Sequence, residues 1–350
     1  MSNVDFWEKP GEIRVLSRSV TESMLDMKRV LNIVEETFKW IGEGKVEQRH
    51  EEPIIPVKDE EGTRICFILG HPAYIKPLNV VGNKWSGASE HSPKLGLLAS
   101  TGIVILNDPK TAMPFAIVDS ATITTIRTAC HAGVGAKYLA RKSSSIVAII
   151  GCGVQGRSHL EVMNELFKLK EARIYDIRKE AQKIFLDEMS KKFPNLKIEP
   201  IETPKEAVKN ADIICTVTRS SKPVVLEEWI ESGCHVAATN GFNDLDPKFS
   251  KKADKWVLGN WERDLMWVKS ESSLSKKDIY SDLSEIVIGK KHGREHDSER
   301  TVMTHLGMGA LDVPTAYEAY RRAREKELGD KVRLFTPDIK YSIWGIKPKW

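Results

Sequence analysis

The chain has 350 residues, 41% of them hydrophobic and 29% charged, enough for about two globular domains. Its 53 basic and 49 acidic residues leave a net charge of +4, too balanced to call for nucleic acid or an anionic membrane. No apolar run approaches the roughly 20 residues needed to span a bilayer, and the N-terminus shows no apolar signal core. The five cysteines are scattered and mostly inside apolar runs, as expected of reduced thiols in a cytoplasmic protein without a metal site.

The chain opens with a short strand at Ile13–Leu16. A helix capped by Ser19 or Thr21 is expected next, with Met24, Met27, Val30, Leu31, Val34 and Phe38 at helical spacing and Gly42 and Gly44 ending it. Five strand candidates follow: Ile54–Val57, Arg64–Leu69, Val80–Trp85, Gly102–Asn107 and Pro114–Val118. Gly, Pro and Asn punctuate them. Strands without crossover helices predict an antiparallel or mixed sheet. A helix from about Thr122 to Leu139, capped by Thr122 or Thr124, leads to the polar hinge Arg141–Ser145.

Beyond the hinge, strand and helix alternate. Strands are expected at Ile146–Ile150, Ala172–Tyr175, Lys197–Pro200, Ile213–Val217, His235–Ala238 and Trp256–Leu258. Helices are expected near 157–169, 178–192, 204–210 and 226–231. This is the pattern of a doubly wound parallel sheet. Two further helices fall in Asp282–Ile288 and Ser298–Glu327, the second from about Met308 to Lys326. The tail from Leu334 to Trp350 reads as an extended packed segment or a partner contact.

The first strand of this unit ends in Gly151-Cys-Gly153-Val154-Gln155-Gly156, and the second ends at Asp176, 20 residues after Gly156. Strand, glycine turn, helix, strand and terminal acid form the order that a dinucleotide site requires. The first glycine permits the turn, the second lets the backbone reach the pyrophosphate, and the third lets the helix pack closely. Asp176 would accept the ribose hydroxyls and repel a 2′-phosphate, favouring NAD(H) over NADP(H). Arg178 pulls the other way.

Loops at the carboxyl ends of parallel strands line the ligand crevice. Thr216, Thr218, Asn240, Asn243 and Asp244 are therefore candidates, although Asn-Gly and Asn-Asp pairs also form ordinary turns. In the first part of the chain Arg49, Lys84 and Arg127 stand out. Lys84 sits in a β-type run and Arg127 beside Thr128 on a helix of small residues. Both contexts suggest burial, and a buried cation needs an anion. A substrate carboxylate or a structural ion pair would serve.

Several stretches are distinctive: His71-Pro-Ala-Tyr-Ile75, Gly82-Asn-Lys-Trp85, Thr124-Thr-Ile-Arg-Thr-Ala129 with Ala136-Lys-Tyr-Leu-Ala140, the glycine-rich loop, Asp282–Gly289 and Gly307-Met-Gly-Ala-Leu-Asp312. In these the chain resembles the ornithine cyclodeaminase/μ-crystallin family over roughly residues 15–328. The resemblance implies a substrate-binding and dimerisation domain at 1–140, completed by 312–350, and an NAD-binding domain at 141–311. It implies a homodimer or higher homo-oligomer, built by sheet pairing, and small amino or imino acid substrates. By the same resemblance Arg49, Lys84 and Arg127 surround the substrate carboxylate, and Lys84 neutralises charge near the reacting carbon.

One position departs from the cyclodeaminases, which carry an aspartate where Asn243 stands. An amide cannot act as a general base, and Asp244, though adjacent, would point elsewhere. The expectation is an NAD(H)-dependent dehydrogenase or imine reductase. A cyclodeaminase converting ornithine to proline, and a non-catalytic nucleotide-binding protein of μ-crystallin type, are the alternatives.

Overall fold

The computed structural model describes residues 11–48, 55–89, 91–239, 241–246, 248, 252–271 and 275–334. Strand β1 (Glu12–Leu16) leads into two helices, α1 (Arg18–Met24) and α2 (Met27–Gly42), where the periodicity predicts one. The break comes from local chemistry. Leu25 is extended, and the Asp26 carboxylate accepts from Arg29 N at 2.9 Å, capping α2. Ser17, not Ser19 or Thr21, caps α1. Met24 and Met27 on either side of the break are both buried, so the apolar face is continuous.

Strands β2 (Val46–Gln48), β3 (Ile55–Lys58), β4 (Arg64–Ile75), β5 (Val80–Ser89), β6 (Ser100–Asn107) and β7 (Pro114–Asp119) follow. The sheet runs β1-β7-β6-β5-β4-β2, with β3 also on β4. Only the β1–β7 pairing among these is parallel, so the sheet is mixed, as expected. Strand β4 extends six residues past the expected end at Leu69, through Gly70 and Pro72. That extension places His71 opposite Lys84 of β5. Helix α3 (Ser120–Leu139) is capped by Asp119, whose carboxylate accepts from Thr122 N, rather than by Thr122 or Thr124. Its buried stretch from Arg127 to Ala136 packs on both sides, which is why small residues dominate it.

The second sheet is wholly parallel. In chain order its elements are β8 (Ile146–Ile150), α4 (Val154–Leu166), β9 (Glu171–Tyr175), α5 (Lys179–Lys192), β10 (Lys197–Pro200), α6 (Pro204–Val208), β11 (Ile213–Thr216), β12 (His235–Ala238), β13 (Lys255–Leu258), α7 (Trp261–Glu271), β14 (Ser281–Asp282), α8 (Leu283–Val287) and β15 (Thr301–Thr304). The order β10-β9-β8-β11-β12-β15-β13-β14 reverses direction at β8, so the glycine-rich loop sits at the topological switch point.

Two elements depart from the sequence pattern. β15, read as helical, is a buried central strand inserted between β12 and β13. The 226–231 helix is a single 3₁₀ turn, Glu227–Trp229. Helix α7 had no counterpart in the pattern. The chain then returns to the first sheet. Helix α9 (Gly309–Glu325) packs across β4 and β5, and β16 (Asp330–Arg333) adds antiparallel to β1. Among the described residues no helix is long and apolar enough to cross a membrane, and no cluster of His, Cys, Asp and Glu could hold a metal ion.

Candidate active site

The glycine-rich loop has the geometry its residues require. Gly151 adopts φ +112°, and a Cβ there would lie 2.8 Å from the Val217 carbonyl oxygen. A Cβ on Gly156 would lie 2.1 Å from the Gly151 carbonyl oxygen, so only glycine lets α4 approach β8 this closely. Gly153 differs, because a Cβ there meets nothing within 4 Å. It begins α4 without a side-chain cap, so the first-turn N–H groups of Val154, Gln155 and Gly156 have no partner within the helix and stand at its positive end. Asp176 closes the far side of the loop. Its carboxylate accepts from Cys152 N and from Arg178 N, both at 2.9 Å. The Arg178 side chain lies 3.5 Å from Asp176 and is 72% exposed. A loop with an open second glycine, an uncapped helix and an acid at its edge fits a dinucleotide.

A second cluster lies where β4, β5, α3 and α9 meet. Lys84 and Arg127, flagged from the sequence, share one buried carboxylate, Asp312. Lys84 Nζ is 2.9 Å from Oδ2 and Arg127 Nε donates to Oδ1 at 2.7 Å. Arg127 Nη1 also donates to Thr128 Oγ1 at 2.7 Å, and Lys84 Nζ to Thr124 Oγ1 at 3.5 Å. Asp312 lies within a motif already distinctive in the sequence. Its signal was an acid in an apolar helix of small residues, and it was not singled out. Burial pushes the Lys84 ammonium down to about 8, with Asp312 opposing the shift and Arg127 adding to it. Burial pushes the Asp312 carboxyl up, but Arg127 and then Lys84 outweigh it and hold the group below the usual carboxylate range.

Two further contacts complete the cluster, one of them from Arg263, which the sequence did not single out. Arg263 of α7 places Nη1 3.1 Å from Nδ1 of His71. A guanidinium only donates, so this His71 nitrogen carries no proton. Gly307, just past β15, lies against Arg127, and a Cβ there would be 2.4 Å from Nη2. The second sheet thus meets the first at the arginine.

The remaining candidates separate. Thr218 Oγ1 donates to Asp244 at 2.5 Å, and Thr218 N to the same carboxylate at 3.4 Å. Burial raises the Asp244 carboxyl, while Thr218 and Thr216 lower it. Asp244 thereby braces the loop after β11. Thr216 is fully buried at the end of β11. Asn243 is half-buried in the turn Gly241–Asp244 after β12. Arg49 and Asn240 lie outside the described residues.

Known proteins resemble the chain in sequence and in fold. The chain is 32% identical to an alanine dehydrogenase of Archaeoglobus fulgidus over 333 residues, covering 93% of this chain and 99% of that protein. A Thermococcus litoralis Delta(1)-pyrroline-2-carboxylate reductase, solved with NADH and L-proline, superposes with a TM-score of 0.84 at 34% identity, over 91% of this chain and 100% of that one. An archaeal alanine dehydrogenase dimer with bound NAD gives a TM-score of 0.84 at 31% identity, over 93% and 100%. The profile of one family matches residues 12–327, and the chain belongs to that family, the ornithine cyclodeaminase/mu-crystallin family.

Proposed function

We propose that the protein is an NAD(H)-dependent oxidoreductase acting at the α-carbon of a small amino or imino acid. The observation that carries this reading is the buried Lys84–Asp312–Arg127 cluster, two cations on one anion, whose arginine stands on the helix that leads into the dinucleotide loop. One more carboxylate balances it. The relatives whose names give alanine, pyrroline-2-carboxylate and L-proline as ligands bind molecules of that charge, and NAD or NADH is the cofactor in their structures.

In this reading the cofactor supplies hydride transfer. The protein binds, orients and neutralises. Gly151, Gly153 and Gly156 shape the loop, the N–H groups of Val154, Gln155 and Gly156 take the pyrophosphate, and Asp176 takes the ribose hydroxyls with Arg178 beside it. Thr128, Thr216, Thr218 and Asn240 are assigned to the cofactor. Arg127 presents its planar fork to the substrate carboxylate, with Arg49 as a second cation. Lys84, titrating near 8, holds the proton that the substrate nitrogen gains on reduction and loses on oxidation. Asn243 offers an amide where cyclisation would call for a base.

We assign residues 1–140 with 312–350 to substrate binding and dimerisation and 141–311 to the cofactor. Trp85 and Ile103, exposed on the first sheet, are suited to a dimer contact, and the archaeal relative is a dimer.

The test follows NADH absorbance across a panel of amino acids and cyclic imines. Net NADH formation from an amino acid, or consumption with an imine, is expected. Proline and ammonia from ornithine without net NADH would sink the proposal in favour of a cyclodeaminase. Saturable nucleotide binding with no turnover would make the protein a binding module.

A further inference from the structure

Three histidines are buried where α3, α4 and the carboxyl edge of the second sheet meet, and the chemistry above uses none of them. His159 of α4 and His305, just past β15, share the hydroxyl of Thr239 at the end of β12. Their Nε2 atoms lie 2.8 and 3.2 Å from its Oγ1. Nδ1 of His159 lies 2.7 Å from the Gln155 carbonyl oxygen. The His131 ring, four residues after Arg127, packs tilted against His305 with centroids 4.1 Å apart. All three histidines are at most 1% exposed.

Elementary chemistry assigns the protons. A carbonyl only accepts, so Nδ1 of His159 is protonated and its Nε2 is bare. The single Thr239 hydroxyl proton therefore goes to His159. The hydroxyl oxygen then accepts from Nε2–H of His305, whose Nδ1 is bare. The chain runs one way, from His305 to Thr239 to His159 to Gln155. The opposite polarity would require His159 to carry two protons, and burial holds its pKa down to about 4.

The chain joins three segments of the site. Gln155 is in the first turn of α4, beside the open Gly153. Thr239 directly precedes the loop that carries Asn243. His305 stands two residues before Gly307, which lies under the Arg127 guanidinium. One hydroxyl therefore ties the nucleotide loop to the backbone beneath the carboxylate clamp.

We propose that Thr239 is a positioning residue for hydride transfer: through His159 and His305 it sets the separation between a dinucleotide at the glycine-rich loop and a carboxylate at Arg127. This rests on the oxidoreductase reading above. A misplacement of about 1 Å in such an alignment costs up to roughly a hundredfold in rate.

Thr239→Val keeps the shape and removes the hydroxyl. We expect kcat to fall about tenfold or more while the Kd for NADH, read by fluorescence, holds within about twofold. The primary isotope effect with 4-deuterated NADH should rise, and Thr239→Ser should recover most of kcat. A folded Thr239→Val with the parent kcat and isotope effect would overturn the proposal, as would a Thr239→Ser no better than Thr239→Val. If Thr239→Val does not fold, His305→Gln and His305→Leu decide. A glutamine amide can stand in for Nε2–H and should keep kcat, whereas leucine should lose it, and equal values overturn the assignment. ¹⁵N shifts of the unliganded protein should show Nδ1–H at His159 and Nε2–H at His305, and the reverse pattern refutes the chain. That readout needs no activity, so a wild-type protein that turns over no amino or imino acid would sink the function while leaving the bond chain separately decided.

Discussion

Lys84 of β5 and Asp312 of α9 form an ion pair of 2.9 Å in which the side chains are 4% and 0% exposed, and Arg127 takes the other carboxylate oxygen. Removing the anion strands two cations away from water. Asp312→Asn should cost about 3–5 kcal/mol of folding stability, read as a lower denaturant midpoint. It should also move the basic limb of the pH–rate profile to lower pH, since Asp312 is the group that supports the charged form of Lys84. An unchanged midpoint would mean that water or another group replaces the carboxylate.

The titration of Lys84 sets the direction of the pH dependence. Reduction draws on the ammonium, so kcat/KM for an imine should fall with unit slope above pH 8. Oxidation needs the neutral amine and should rise through the same pH. A reductive profile flat to pH 10 would remove Lys84 from proton transfer. Lys84→Met should abolish both limbs.

Asp176 decides the choice between NAD(H) and NADP(H). Asp176→Ser removes a charged acceptor worth about 1.5–3 kcal/mol and the repulsion of a 2′-phosphate. The ratio of kcat/KM for the two cofactors should shift towards NADP(H) by about 10- to 100-fold. An unaltered ratio would detach this carboxylate from the ribose.

Acid should destabilise the fold below neutrality. Burial pushes His159 down to about 4 and His235 to about 3, from an ordinary 6.5. Between those limits the unfolded chain binds protons that the native histidines refuse, so stability falls as pH drops below 6.5. Between pH 7 and pH 5 the loss should be about 2 kcal/mol for each residue. Thermal melts at the two pH values check this, and His235→Gln should flatten part of the dependence.

The dinucleotide loop was legible because it is local: β8, the glycines, α4 and Asp176 fall within a single βαβ unit, and each residue type has one geometric reason to be there. Lys84 and Arg127 were also legible as cations in apolar company. Their partner was not, because Asp312 arrives on a helix near the other end of the sequence, and pattern reading has no register between β5 and α9. β15 was misread for a related reason. Thr301–Thr304 is four residues long with no alternation, and its strand character comes from being clamped between β12 and β13. Gly70 and Pro72 read as strand breakers, yet β4 runs through them and brings His71 opposite Lys84. His159, Thr239 and His305 carry no motif at all. Only the packing of three separate segments makes them neighbours.

The return of α9 and β16 to the first sheet has a consequence for synthesis. The ribosome releases β5 and α3, with Lys84 and Arg127, long before it releases Asp312, and both β12–β15 and β1–β16 likewise wait for segments about 65 residues or more further along the chain. Until then the first sheet carries two uncompensated charges in its core and an open edge at β1, while the second has a gap beside β12. The nascent chain therefore cannot assemble the Lys84–Asp312–Arg127 cluster early. A ribosome stalled before residue 312 should display a species that proteases cut readily and that binds no substrate, and the working site forms only as α9 docks.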